Sequence, residues 1–257
     1  MTFDSLLPYA PHFHSAFSFG LILKGRTCLS LGTERYIAEK GDMVFIDPGR
    51  VHSCNPVAGD ARSYCMMYID AAWLHDLLTP LCGANAAVAR PVIKGSALFD
   101  AALSMLSQTA DETCAAGPAL RELLLTIQNT HGCFASARPG GADEPMQFFR
   151  HISPDALHEE RLPVAELADA AGLCRESFSR SFRKRCDLPP GNYLHCLRLE
   201  YGRTLLRQGK SIAEAATASG YVDQSHFHRM FVKFYSVTPG LYRKNNAAGH
   251  IRTRNMF

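Results

Sequence analysis

Residues 164–243 carry one pattern twice, and this repeat constrains the fold more tightly than any other feature of the chain. Val164, Ala165, Glu166, Ala168 and Gly172 recur 48 residues later as Ile212, Ala213, Glu214, Ala216 and Gly220. Phe178, Arg180, Phe182, Pro190, Gly191 and Tyr193 recur 49 residues later as Phe227, Arg229, Phe231, Pro239, Gly240 and Tyr242. One inserted residue between Gly220 and His226 accounts for the change of offset.

Each copy reads as two helices around a tight corner. Val164, Leu167, Ala168 and Ala171 fall at i, i+3, i+4 and i+7, one face of a helix. Gly172 is expected to end that helix in a left-handed conformation, and Leu173 to plug the corner. A second helix is expected from about Arg175 to Lys184, with Phe178 and Phe182 inward and Arg175, Glu176, Ser179 and Arg180 left for other faces. In the second copy Ile212, Ala215 and Ala216 face the core, Gly220 stops the helix and Tyr221 fills the corner. Asp223 or Ser225 caps the next helix. Phe227 and Phe231 anchor that helix, and Gln224, His226, His228 and Arg229 reach outward. Such a unit places its second helix in a DNA major groove. Between the copies, Pro189-Pro190 breaks the chain and a helix is expected from about Asn192 to Gln208. A spacer of that length can hold two reading helices about one turn apart, roughly 34 Å.

On these residues the C-terminal hundred positions resemble the AraC/XylS family of bacterial transcription regulators. The most specific stretch is GYVDQSHFHRMFVKFYSVTPGLYR, Gly220 to Arg243. The resemblance implies double-stranded DNA as partner, with base-facing candidates Arg175, Glu176, Ser179 and Arg180 in the first motif. In the second motif they are Gln224, Ser225, His228 and Arg229. It also implies activation through RNA polymerase. Two departures stand out. Gly202 replaces the family's usual Ala inside the spacer helix, an expected loss of about 1 kcal/mol. Pro154, after Ser153, falls where the leading helix normally continues, and is expected to start a shorter one.

A chain of 257 residues suits two domains. The Gly/Pro-rich run from Ala135 to Pro145 reads as the linker, giving domains over 1–134 and 146–257, with helix-turn-helix motifs at about 162–184 and 211–234. Charge divides there too: residues 1–150 sum to −3 and residues 151–257 to +6. A basic C-terminal half fits a polyanionic partner. No stretch is long and apolar enough to span a membrane, and no signal peptide is recognisable. Nine cysteines without a C-x-x-C pair suggest reduced thiols in a cytoplasmic protein.

The N-terminal half reads as short strands separated by glycine turns: Phe17–Leu23, Thr27–Leu31, Arg35–Ala38, Met43–Ile46 and Ser63–Ile69. Helical patterns follow at Ala71–Leu81, Ala97–Thr109 and Pro118–Thr130. The last has an apolar stripe, Leu120, Leu123, Leu124 and Ile127, suited either to packing on the strands or to pairing two chains. The segments HFHSAFSFGLILKG and GDMVFIDPGRVHSCNP resemble the cupin-like sensor half of the same family. The expected fold is therefore α+β in two domains: a cupin-like β-barrel with flanking helices, then an all-α double helix-turn-helix. The resemblance implies a small-molecule effector and a homodimer.

His12, His14, Phe17 and His52 are the effector-binding candidates. Cupin enzymes hold a divalent metal with a His-x-His pair, a later Glu and a distant His. Here Ser18 and Phe19 stand where that Glu belongs, so the expectation is no metal, no cofactor and no catalytic residue. Three imidazoles alone remain an open alternative as zinc or iron ligands. The function expected is an effector-responsive, sequence-specific regulator, probing DNA with both motifs. The alternatives are a ligand-independent regulator whose barrel only dimerises, and a metal-dependent cupin enzyme fused to a DNA-binding domain. A DNA-repair protein is disfavoured, because the four-Cys zinc cluster expected there has no counterpart.

Overall fold

The computed structural model describes residues 9–57, 61–108, 116–136, 164–235 and 237–246. Their contacts divide into two compact units, one built mainly from residues 14–136 and one mainly from residues 164–246.

In the first unit, glycines at positive φ (Gly25, Gly32, Gly41 and Gly49) turn the chain between strands β1 to β5. These are β1 (Phe17–Lys24), β2 (Arg26–Leu31), β3 (Glu34–Glu39), β4 (Met43–Ile46) and β5 (His52–Pro56). They are followed by β6 (Ser63–Ile69), helix α1 (Ala71–Cys82), β7 (Ala86–Val88) and β8 (Val92–Ile93). Helices α2 (Phe99–Gln108) and α3 (Ala116–His131) and strand β9 (Phe134–Ser136) complete the unit. All the pairings are antiparallel, in sheets ordered β6-β1-β4-β8, β3-β2-β5 and β7-β9. The barrel expectation thus takes the form of two main sheets that, among the described residues, no single hydrogen-bonded ring closes. Arg62, just ahead of β6, donates from Nη1 to Thr27 Oγ1 on β2 and ties one sheet to the other.

Strand β1 is buried on both faces. Phe17, Phe19 and Leu21 pack with Phe45 and Met67 against Leu74, Leu77 and Leu78 of α1, Leu106 of α2 and the Leu120–Ile127 stripe of α3. Ser18, Gly20 and Ile22 occupy the opposite face, because successive side chains of a strand alternate. The α3 stripe is therefore consumed by the core of its own unit. Strands β5, β7, β8 and β9 carry no sequence signal, and Ala135 and Ser136, read as linker, pair with β7. The rest of the linker, Ser153 and Pro154 lie outside the described residues.

The second unit is helical: α4 (Val164–Ala170), α5 (Arg175–Cys186), α6 (Pro190–Arg207), α7 (Ile212–Ala218), α8 (Gln224–Tyr235) and α9 (Pro239–Asn246). The repeat closes both corners in the same way. Gly172 and Gly220 have φ of 65° and 73°. The amides that follow them donate back five residues, Leu173 N–H to Ala168 O (2.9 Å) and Tyr221 N–H to Ala216 O (3.1 Å), the Schellman pattern. Tyr221 is buried in its corner, whereas Leu173 stays 42% exposed and does not plug the first. The first corner is one residue shorter, so Cys174 directly after Leu173 is already the helix cap.

Helix α6 is the shaft of this unit. Its Tyr193 packs on Phe182 of α5, and its Arg203 lies over the rings of Tyr235 (α8) and Tyr242 (α9), 4.7 and 5.3 Å from their centroids. Glu200, one turn earlier, pairs with Arg203 and accepts from the Tyr235 hydroxyl at 3.0 Å. A Cβ built at Gly202 would lie 2.7 Å from a Phe227 ring carbon and 2.8 Å from Ser219 Oγ. The glycine is there because α7 and α8 approach the shaft too closely for a side chain, which overrides helix propensity.

Candidate nucleic-acid interface and sensor site

Helices α5 and α8 stand on aromatic anchors. Phe178 and Phe182 of α5 and Phe227 and Phe231 of α8 are buried at i, i+4 spacing, which turns the intervening polar residues outward. Arg175, Glu176 and Arg180 are exposed on α5, with Ser179 half-buried between them. Gln224, Ser225, His228 and Arg229 are on α8, where Gln224, Ser225, His228 and Arg229 all reach solvent. Arg180 is in reach of Ser177 Oγ, at 3.5 Å. Asp223 caps α8: its Oδ1 accepts from His226 N–H at 2.6 Å, which leaves Ser225 outside that role. The last turn of α5 adds Arg183, Lys184 and Arg185. The two helices thus offer equivalent outward faces able to donate to phosphates and base edges.

One exposed apolar side chain escaped sequence reasoning. Val222 is 72% exposed, directly before the Asp223 cap. Its signal was available: a valine after a buried corner residue and before an N-cap has no core to enter.

Beneath α8, His195 stacks on Tyr221 and meets His226 edge-on. Burial, with Arg198, His226 and Lys233 nearby, pushes its imidazole down to about 4. His195 is thus a neutral packing group near pH 7.

In the first unit His14 and His52 are both buried, with ring centroids 4.8 Å apart. Tyr68 of β6 packs edge-on against His14 at 5.1 Å. His14 Nδ1 donates to Ala16 O and His52 Nδ1 to Arg50 O, both at 2.8 Å. Ser18 Oγ lies 3.1 Å from His14 Nε2. His12 belongs instead to the second unit, where it is buried edge-on to Tyr235 and its Nδ1 donates to Ala10 O at 2.9 Å. Phe17 does not join these histidines. It lies in the core between Phe45 and Phe134, on the β1 face turned to the helices, since strand alternation separates it from Ser18.

A separate cleft of about 160 Å³ opens beside β3 and β4, lined in part by Glu34, Tyr36, Asp47, Arg50 and Val88. Asp47 accepts from Val88 N–H with both oxygens, and burial raises its carboxyl above the usual range. The Arg50–Glu34 ion pair, 3.3 Å, sits at its rim. The eight described cysteines are free thiols. Burial pushes Cys54 up to about 11 and Cys196 up to about 12, so both stay protonated at neutral pH. Among the described residues no helix is long and apolar enough to cross a membrane.

Comparison with known proteins matches these two units separately. Residues 7–134 fit the AraC-like ligand binding domain, and residues 167–245 a helix-turn-helix domain. The HTH-type transcriptional regulator YbfI of Bacillus subtilis, itself uncharacterized, is 26% identical over 227 residues, 84% of this chain and 80% of that protein. The transcriptional activator NphR of a Rhodococcus species is 29% identical over 126 residues, 48% of this chain but only 37% of NphR. Among solved structures, an apo point variant of ToxT from Vibrio cholerae superposes with a TM-score of 0.63 at 15% identity, covering 96% of this chain and 95% of ToxT. Wild-type ToxT has also been solved with an unsaturated fatty acid bound, TM-score 0.62 at 14% identity, covering 98% of this chain and 95% of ToxT. Both halves of the fold, the duplicated motif and the relatives agree: the chain belongs to the AraC/XylS family of helix-turn-helix transcriptional regulators.

Proposed function

We propose that this regulator reads an operator of two half-sites, one through α5 and one through α8, and that a small molecule in the N-terminal unit controls the reading. The observation that carries the proposal is the repeat itself: two helices with buried Phe pairs and exposed polar faces at equivalent positions. Arg175, Glu176, Ser179 and Arg180 face one half-site, and Gln224, Ser225, His228 and Arg229 the other. Phosphate contacts from the basic surroundings set register, while base-edge contacts from these side chains carry sequence information. Val222 joins them as an apolar contact for a thymine methyl group.

The ligand-binding family of the first unit supports an effector. An effector shifts activity only by binding the active arrangement better than the inactive one. The description of NphR as a transcriptional activator supports activation, and RNA polymerase is our proposed protein partner for it. A homodimer of this chain uses a surface other than the buried α3 stripe.

The testing experiment is selection from sheared genomic DNA by the full chain at near-physiological salt. A bipartite motif with halves one turn apart is expected. A single contiguous half-site would overturn reading by both helices. A fragment of residues 146–257 is expected to keep that motif and lose every response to effector.

A further inference from the structure

We propose that the cleft beside β3 and β4 is the effector site of the sensor unit, and that it takes a small hydroxylated ammonium compound, an amino alcohol. This deepens the sensing role assigned above to that unit and rests on it. The cleft lies wholly within the first unit, where the two main sheets part: β3 is the outer strand of one, and β4 belongs to the other. Glu34 and Tyr36 line it from β3, and Phe45 and Ile46 from β4. After β4 the chain turns over residues 47–50. Arg50 N–H donates to Asp47 O at 3.2 Å and Gly49 takes a φ of 73°, so Asp47 and Arg50 both border the same cleft.

Size, polarity and charge select the ligand. A cavity of roughly 150 Å³ holds benzene, so this cleft of about 160 Å³ suits a molecule of similar size. The surface it presents is mostly polar, which fits a hydroxylated molecule better than a hydrocarbon. Two carboxylates, Glu34 and Asp47, line it beside one guanidinium, Arg50. Arg50 pairs with Glu34 at the rim, so the charge in excess is the negative one of Asp47. Each Asp47 oxygen gives one acceptor position to Val88 N–H, at 3.0 and 3.2 Å, out of about four that a carboxylate offers. An ammonium group donates in several directions and fills positions that remain. It also offsets the cost that burial imposes on the Asp47 charge, the cause of that carboxyl's raised pKa. Hydroxyl groups on the same molecule find both donors and acceptors in Arg50, Tyr36 and Glu34.

The test titrates the full chain, free of DNA and in an amine-free buffer, with three probes of matched size by calorimetry. Serinol carries an ammonium group, glycerol has a hydroxyl in its place, and glycerate is an anion. Serinol is expected to bind at one site per chain in the millimolar range, at least tenfold tighter than either of the others. Asp47→Asn keeps an oxygen for Val88 N–H and should weaken serinol at least tenfold. Asp76→Asn, at an exposed carboxylate of α1, should change nothing. Equal binding of glycerol, tighter binding of glycerate, or serinol affinity that survives Asp47→Asn overturns the proposal, as does no saturation by serinol at tens of millimolar. Should Asp47→Asn fail to fold, Arg50→Gln decides. It removes the one positive charge at the rim, so serinol should bind at least threefold tighter; unchanged or weaker binding overturns the site. The regulatory reading fails separately, as genomic DNA retained without any motif whether serinol is present or absent.

Discussion

Arg180 and Arg229 hold the same place in the two copies, each two residues before a buried phenylalanine, Phe182 or Phe231. Under the proposed base reading, Arg229→Ala is expected to weaken binding by about 1–3 kcal/mol and to relax specificity in one half-site. A competition assay against single-base operator variants reads this out; equal loss on every sequence would make Arg229 a phosphate contact. His195 behaves differently because it is half-buried. Its folded pKa, about 4, lies below the value near 6.5 of an unfolded histidine. Between those values the unfolded chain binds the extra proton, so stability falls as pH drops through that window and is fully present above it. Melting of the full chain from pH 7 to 4 should show the loss, and His195→Phe should flatten it. A dependence unchanged in the variant would assign it to other groups.

At the scale of elements, Gly202 separates propensity from packing. Isolated helices gain about 1 kcal/mol from Gly→Ala. In α6 the added methyl meets the Phe227 ring at 2.7 Å, and overpacking of this kind costs about 1–3 kcal/mol. Gly202→Ala is therefore expected to lower the melting temperature despite its better propensity; a rise would mean that α8 can shift outward freely. The same contrast explains what was legible beforehand. Helices α5, α6 and α8 announce themselves because only one face of each is apolar, so periodicity gives both type and phase. Strand β1 is buried on both faces, so its composition does not say which face meets the helices, and Phe17 could be placed at the wrong wall. Strand β5 reads HSCNP, too polar to signal a strand, although it positions His52. His14 and His52 were legible as candidate residues. The Ala16 and Arg50 carbonyls that accept from their Nδ1 atoms were not, because they are backbone groups and carry no sequence mark.

At the scale of the molecule, one chain carries both candidate reading helices on a single support. Helix α6 is 18 residues without a break, about 27 Å long. It is held near one end by Tyr193 on Phe182 and near the other by Arg203 between Tyr235 and Tyr242. Inserting five base pairs between the half-sites, about half a turn, should reduce affinity to that of one half-site. Gel-shift titration of the spaced operators measures it, and undiminished binding would require a shaft that bends. A ruler of this kind bears on how promoters change over generations. Single-base substitutions can adjust the strength of either half-site by small steps, whereas one inserted or deleted base turns a half-site away from its helix. Control regions served by this protein are therefore expected to diverge in letters while conserving the interval between them.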